Sequence, residues 1–122
     1  MSEIKQIEPK NWANFLEEFS TRNKNRRARF NIFKRNGDTQ EEATEAHLQG
    51  ILIEKDDDKS TITVRRVDTT EAEAETRTDT ITGVRGVAVQ YDTDGSEDVL
   101  EITDDQNTLI SLRFESKVDG AS

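Results

Sequence analysis

Acidic residues concentrate in three short segments where the backbone is expected to turn. Asp56, Asp57 and Asp58 stand between two apolar runs, and Asp104 and Asp105 stand between two others. The remaining segment contains Asp92, Asp94, Glu97 and Asp98. Carboxylates crowded on tight turns repel one another unless water, salt or a cation relieves the repulsion. Calcium is a hard cation that prefers oxygen ligands of this kind, so we treat these residues as candidate calcium ligands.

The same residues also have an ordinary explanation, because Asp and Gly are favoured in hairpin turns for backbone reasons. The pattern does not match an EF-hand, which has glycine at the sixth and glutamate at the twelfth position of its loop. In a window that begins at Asp92, Gly95 is fourth and Glu97 is sixth. From the residues alone, a calcium site and a set of solvated turns both remain open.

The composition excludes several other kinds of site. The chain has 122 residues, no cysteine and a single histidine, His47. Disulfides, thiolate metal sites and multi-histidine zinc sites are therefore excluded. There is no G-x-S-x-G nucleophile motif, and Gly83 and Gly86 are not followed by the Lys-Ser or Lys-Thr of a phosphate-binding loop. We expect the protein not to be an enzyme.

The charge is strongly negative but unevenly distributed. The formal net charge is -9, yet residues 22–35 contain seven basic residues and no acid. The rest of the chain has 10 basic and 26 acidic residues, a charge of -16. The overall field should repel a polyanion, so nucleic acid is not an expected partner. The basic segment at 22–35 is available to an acidic protein or to the molecule's own carboxylates.

The N-terminus and the apolar runs bear on location. Met1-Ser-Glu-Ile-Lys-Gln has no apolar stretch and no cleavage pattern. The longest apolar run, Ile51-Leu52-Ile53, is much too short to cross a bilayer. We expect a cytoplasmic protein that does not contact the membrane.

The elements that must position the acidic turns begin with a helix. Pro9 suits a first helical turn, and four apolar residues follow it at the spacing of one helical stripe. These residues are Trp12, Phe15, Leu16 and Phe19. The pattern predicts a helix over about 9–22.

A β region over about 27–116 follows, with a flexible tail at 117–122, all within a single domain of residues 1–122. Strand-like alternation begins at Ala28, His47, Ser60, Thr76, Val99 and Leu109. The segment 76–91 contains Gly83 and Gly86, so it is either one bent strand or two strands. We predict a mainly β fold: an N-terminal helix followed by about six antiparallel strands in a meander that forms a small barrel or a strongly curved sheet.

Successive connections of a meander alternate between the two ends of its sheet. If 76–91 is one bent strand, loops 56–59 and 92–98 share one end, and loops 36–46, 68–75 and 104–107 share the other. The first end would form a calcium site from Asp92, Asp94, Glu97 and Asp98, helped by Asp56, Asp57 and Asp58. The second end would form another from Asp38, Asp104 and Asp105. A reversal at Gly83 or Gly86 would remove this grouping.

Four stretches of sequence carry a resemblance to known proteins. They are Ile7-x4-Trp12-x2-Phe15-x3-Phe19-Ser20, Leu48-x-Gly50-Ile51, Asp98-Val-Leu-Glu-Ile102 and Leu109-Ile-Ser-Leu-Arg-Phe114. Together they resemble an uncharacterised bacterial domain family of small helix-plus-sheet proteins. Within that family the chain is similar to small acidic calcium-binding proteins of cyanobacteria that have no EF-hand. The resemblance implies a cytoplasmic calcium buffer or sensor that influences cell differentiation, but it transfers no ligand positions.

A second function class is open on the same residues. The chain would then be a metal-free protein-interaction module that uses its acidic surface and the basic segment at 22–35. Calcium binding and a protein partner are therefore both expectations to be compared with the structure.

Overall fold

Nine β-strands and one α-helix form the part of the chain that the computed structural model describes, residues 3–42, 45–68, 74–93 and 95–115. The strands are β1 (Glu3–Ile7), β2 (Arg27–Phe33), β3 (Thr39–Glu41), β4 (Ala46–Asp56), β5 (Lys59–Asp68), β6 (Glu75–Ile81), β7 (Val84–Tyr91), β8 (Glu97–Asp104) and β9 (Leu109–Phe114). The mainly β class and the N-terminal helix are confirmed. The tail predicted at 117–122 lies outside the described residues.

The helix α1, Trp12–Arg22, follows a 3-10 turn at Pro9–Asn11, close to the predicted bounds. Its apolar stripe is buried through Trp12, Leu16 and Phe19. The Trp12 Nε1–H donates to the Ile7 carbonyl at 2.9 Å, which ties the start of the helix to the end of β1. The Phe19 ring lies 5.6 Å from the Phe114 ring, between centroids, so the helix packs directly against the last strand.

All the strand pairings are antiparallel, and the order along the sheet is β1-β7-β8-β9-β2-β4-β5-β6, with β3 paired to β2. Consecutive strands pair in two runs, β4-β5-β6 and β7-β8-β9, and β2 joins these runs by pairing with β4 and with the last strand β9. The contact between β5 and β7, which stand near opposite ends of the order, requires the sheet to curl around the core. The sheet is curved but not closed, because the order ends at β1 and β6.

The prediction of about six strands was too low. β1 and β3 are the additional strands, and the predicted strand at 76–91 is recorded as β6 and β7. All three residues of β3 are exposed, so this strand has no apolar alternation that could have indicated it. For that reason, residues 39–41 were predicted to lie within the loop 36–46.

The bend between β6 and β7 decides how the connections are arranged. Six antiparallel pairings lead from β6 through β5, β4, β2, β9 and β8 to β7, so β6 and β7 run in the same direction. The chain therefore bends between β6 and β7 but does not reverse its direction, so the two strands do not form a hairpin. Gly83 lies at the bend with a φ of 64°, in the left-handed region that glycine adopts most readily.

One continuous core fills the inside of the curved sheet. It combines the apolar stripe of α1 with inward residues of most strands. Its fully buried members include Leu16, Phe19, Leu48, Ile62, Val64, Val89, Leu100, Ile102 and Leu112. Within the described ranges, no helix has the length and apolarity that crossing a bilayer requires.

The bend at Gly83 generates a testable prediction. A Cβ at this position would lie 2.5 Å from Oδ2 of Asp105. A residue with a side chain would also be strained at the positive φ of this position. We expect Gly83→Ala to lower the free energy of unfolding by about 1–2 kcal/mol in urea denaturation. Gly50→Ala is the matched control, because a Cβ at Gly50 meets nothing within 4 Å. Equal effects of the two substitutions would contradict the proposed strain.

Candidate functional site

The β7–β8 turn, which carries the first predicted calcium ligands, is held by its own hydrogen bonds. The Asp92 N–H donates to the Ser96 carbonyl at 2.8 Å, and the Gly95 N–H donates to the Asp92 carbonyl at 2.9 Å. Oδ1 of Asp92 accepts the Thr93 N–H at 2.7 Å. Asp98 is half-buried, and Asp94 lies outside the described residues. One oxygen of Asp92 therefore already serves the turn.

Glu97, another predicted ligand, is committed to an ion pair with the end of the helix. Arg22 donates Nε–H to Oε1 at 3.0 Å and Nη2–H to Oε2 at 2.8 Å, and Asn23 donates to Oε1 at 3.0 Å. The Glu97 side chain is only 11% exposed. Burial raises the pKa of Glu97, but the hydrogen bonds from Arg22 and Asn23 outweigh burial and hold that pKa below its ordinary value. Glu97 fastens α1 to β8.

The other predicted ligands are distributed over three turns. Asp56, Asp57 and Asp58 are exposed at the β4–β5 turn, and Asp57 has a φ of 55°. Asp38 is exposed at the β2–β3 turn, where its Oδ2 accepts a hydrogen bond from the Asn36 side chain at 3.0 Å. Asp104 and Asp105 stand at the β8–β9 turn.

Strand directions decide which of these turns share an end of the sheet. β4 and β7 run in the same direction, so the β4–β5 and β7–β8 turns leave from one end. The β2–β3 and β8–β9 turns leave from the other end. Among the described residues, however, no group of three or more acidic or histidine side chains is arranged to hold a metal ion. The turns share ends of the sheet without forming a preassembled cage.

A cavity of about 270 Å³ opens at the end of the sheet that carries the β8–β9 turn. Two of its lining residues, Asp79 on β6 and Asp104 on β8, are half-buried carboxylates. Oδ1 of Asp104 accepts the N–H groups of Gln106 and Thr108, both at 2.9 Å, so Asp104 shapes the β8–β9 turn. The other lining residues are Phe30, Ile32, Thr80, Ile81, Thr82, Thr108 and Ile110.

Arg66 on β5 is buried in the core, with a side chain that is 0% exposed. Its Nη1–H donates to Oε1 of Glu42 at 2.7 Å and to the Ala28 carbonyl at 3.0 Å. Its Nη2–H donates to Oε2 of Glu42 at 2.9 Å and to Oδ2 of Asp79 at 3.2 Å. The guanidinium carbon lies 4.5 Å from the centroid of the Phe30 ring, in cation–π contact. Arg66 thus joins β2, β5 and β6 to Glu42.

Three further contacts extend this network. Oε1 of Glu42 also accepts the Phe30 N–H at 2.7 Å, and Arg77 lies 3.5 Å from Oε2 of Glu42. Arg77 also donates to Oδ2 of Asp68 at 2.7 Å. Burial raises the pKa of Glu42, but the hydrogen bonds from Arg66 and Phe30 outweigh burial and lower that pKa overall. The charge on Glu42 is therefore stabilised in the folded protein.

Arg66 is not among the functional residues predicted from the sequence. The sequence does contain a pattern that indicates its burial. Ile62, Val64 and Arg66 occupy alternate positions of one strand, so the three side chains must face the same side of the sheet. An arginine in a core-facing position needs a buried partner. Neither Glu42 nor Asp79 could be selected as that partner from spacing alone.

Four of the seven basic residues in the segment at 22–35 contact the rest of the molecule, and three of them, Arg22, Arg27 and Arg29, pair with acidic side chains. Arg27 pairs with Glu115 at 2.8 Å, and Arg29 pairs with Glu41 at 3.0 Å. Arg26 donates to the Glu97 carbonyl at 2.6 Å, and its guanidinium carbon lies 4.8 Å from the centroid of the Phe114 ring. Of the two open interpretations, contact with the molecule's own acidic residues accounts for these arginines.

Comparison with known proteins gives a family and no activity. Residues 3–121, nearly the whole chain, match the sequence profile of one protein family. The chain belongs to the DUF5335 family, a family of unknown function. This agrees with the resemblance to an uncharacterised domain family. No curated protein and no solved structure matches the chain.

The Arg22–Glu97 pair predicts how stability depends on pH. The pKa of Glu97 is below 4.5 in the folded state, so the folded state favours the charged form more than the unfolded state does. This stabilisation is complete above about pH 4.5 and is lost as the pH falls through the folded-state pKa. We expect Glu97→Gln to lower the free energy of unfolding at pH 7 by about 1.5–3 kcal/mol in urea denaturation.

The difference between the wild type and Glu97→Gln should shrink as the pH falls below about 4.5. Glu54→Gln, at an exposed position of β4, is the control and should change stability by less than about 0.5 kcal/mol. A difference between the wild type and Glu97→Gln that stays constant down to the acid transition would show that the charge on Glu97 is unimportant.

Proposed function

We propose that the protein binds calcium through the β7–β8 turn, assisted by the β4–β5 turn at the same end of the sheet. The observation that supports this most is the shared direction of β4 and β7, which brings two acid-rich turns to one end. Asp56, Asp57 and Asp58 are exposed there, and no ion pair within the described residues neutralises them. A divalent cation would relieve their mutual repulsion.

The contacts of the individual residues divide the ligand set. Glu97 is bound to Arg22 and Asn23. Asp92 and Asp98 also have contacts within the protein, and with Asp94 they are the primary ligands of the proposal, so calcium would have to share or replace those contacts. Turn carbonyls and water would supply the remaining oxygens that calcium requires. Because the described carboxylates are not preassembled in threes, binding must bring them together, and we expect a dissociation constant of about 10⁻⁴–10⁻³ M.

A second calcium position at the opposite end is the weaker part of the proposal. Asp104 already uses one oxygen for the N–H groups of its own turn, and Asp38 is hydrogen-bonded to Asn36. Asp105 is exposed beside the bend at Gly83. We therefore propose that calcium binds at this end only at concentrations above those that saturate the β7–β8 turn.

The resemblance to small acidic calcium-binding proteins of cyanobacteria supports a role for this binding. We propose a cytoplasmic calcium buffer or sensor that influences cell differentiation. The alternative role is a metal-free interaction module. Four arginines of the basic segment contact their own molecule, so a partner of that module would meet the acidic surface mainly with basic groups. The exposed Lys24, Lys34 and Arg35 keep part of the segment at 22–35 available to the same partner.

Calorimetric titration separates the two roles. We expect saturable heat with calcium in the submillimolar to millimolar range and much less with magnesium, because magnesium demands a tighter octahedral site. Asp92→Ala/Asp94→Ala should abolish the heat. Glu17→Ala/Glu54→Ala, which removes the same charge at exposed positions of α1 and β4, should retain it. Calcium should also raise the melting temperature of the wild type.

Absence of heat at millimolar calcium would end the calcium proposal. An interaction module would instead capture a basic partner in the presence of a chelator, and that capture would be unaffected by calcium.

A further inference from the structure

The cavity beside the β8–β9 turn combines an apolar floor with an acidic rim. Phe30, Ile32, Ile81 and Ile110 supply the apolar side chains. The threonines and the two carboxylates supply the polar groups, and none of the described residues that line the cavity is basic. A volume of about 270 Å³ suits a short alkyl chain better than a nucleotide or another large ligand.

Each lining carboxylate has one oxygen in use and one to offer. Asp79 gives Oδ2 to Arg66, and Asp104 gives Oδ1 to the turn N–H groups. Among the described residues, neither Oδ1 of Asp79 nor Oδ2 of Asp104 has a hydrogen-bond partner. Since an ionised carboxylate only accepts hydrogen bonds, a ligand group that binds these two oxygens must be a donor.

The charges around the cavity indicate the sign of that donor. Arg66 and Arg77 contribute +2 to the buried network, and Glu42, Asp68 and Asp79 contribute -3, which leaves -1. Asp104 at the rim brings the local charge to -2. The low dielectric of a partly enclosed site strengthens the attraction of this charge for a cation.

We propose that the cavity binds an ammonium group carried on a short alkyl chain. The ammonium donates to the free oxygens of Asp79 and Asp104, and the alkyl chain lies on the apolar floor. A metal ion fits the same place poorly, because the described residues supply two carboxylates and a floor without oxygen ligands. The site is at the opposite end from the β7–β8 turn, so this proposal stands or falls separately from calcium binding there. It shares only Asp104 with the second calcium position, whose other residues, Asp38 and Asp105, do not line the cavity.

The neighbouring strand suggests one source for such an ammonium. In the described part of the chain, β6 pairs with β5 alone, so its other edge is open. Residues 80–82, at the end of β6, line the cavity. A peptide strand added to that edge would place a lysine side chain beside the cavity, whereas a free alkylamine would enter without pairing.

The test follows the backbone amide signals of ¹⁵N-labelled protein by NMR during titration with n-butylammonium chloride. We expect saturable shifts confined to residues 79–82, 104–110 and their neighbours. The neutral isostere n-butanol should bind at least tenfold more weakly, and sodium chloride at equal ionic strength should produce no saturable shift. These comparisons use the wild type and do not depend on any variant folding.

Substitutions then locate the site. Asp79→Asn/Asp104→Asn should weaken n-butylammonium binding at least tenfold, and Asp104→Asn alone serves if the double variant does not fold. Asp56→Asn/Asp57→Asn removes the same charge at the exposed β4–β5 turn and should leave binding unchanged. Equal binding of n-butanol and n-butylammonium, or no saturable shift, would overturn the proposal.

Two further titrations identify the source of the ammonium. The ligands are Nα-acetyl-lysine amide and the peptide acetyl-Thr-Val-Lys-Val-Thr-amide. Tighter binding of the peptide by at least tenfold assigns the site to a lysine on an added strand. Equal binding of the two assigns it to a free alkylamine.

Discussion

The buried guanidinium of Arg66 is the constraint on which one end of the fold depends. An arginine at a core-facing position of β5 loses its hydration, so the fold must supply acceptors and negative charge close to its guanidinium. Glu42, Asp79, the Ala28 carbonyl and the Phe30 ring provide that arrangement. The same contacts hold β6 over β2, and so they create the wall of the cavity. A structural ion network and a candidate binding site are thus built from the same side chains.

The opposite end uses a different device, because there the helix and not a buried charge organises the strands. Arg22 and Asn23 at the end of α1 fasten Glu97 at the start of β8, and the Phe19 ring packs on Phe114. This contact removes Glu97 from the set of free carboxylates but keeps the β7–β8 turn at a fixed place. The exposed acids of the β4–β5 turn at this end, Asp56, Asp57 and Asp58, are left to solvent or to a cation. The uneven charge of the sequence is therefore largely resolved within the molecule, while its surface stays acidic.

Sequence patterns were sufficient for the elements whose burial is periodic. The stripe Trp12, Leu16 and Phe19 predicted α1, and alternation predicted the long strands. β3 escaped because all of its residues are exposed, so nothing in its pattern separates it from a loop. The predicted ligand Glu97 and the unpredicted Arg66 share another reason: their roles depend on partners far along the chain, and charge type alone cannot identify a partner. Turn positions of the acids were foreseeable, but the distances between turns depend on how the sheet curls.

The central claim is that Arg66 and Glu42 stabilise the fold as one coupled pair. A double-mutant cycle tests this coupling most directly. The free energy of unfolding would be measured in urea for the wild type, Arg66→Ala, Glu42→Ala and the double variant. We predict that each single substitution costs about 3–5 kcal/mol, because each removes the bidentate ion pair that contributes most of the hydrogen bonds between these two charged groups. The double variant should be more stable than the sum of the single effects implies, with a coupling of about 2 kcal/mol or more. Additivity within about 0.5 kcal/mol would contradict the account, since it would mean that the two groups stabilise the fold independently.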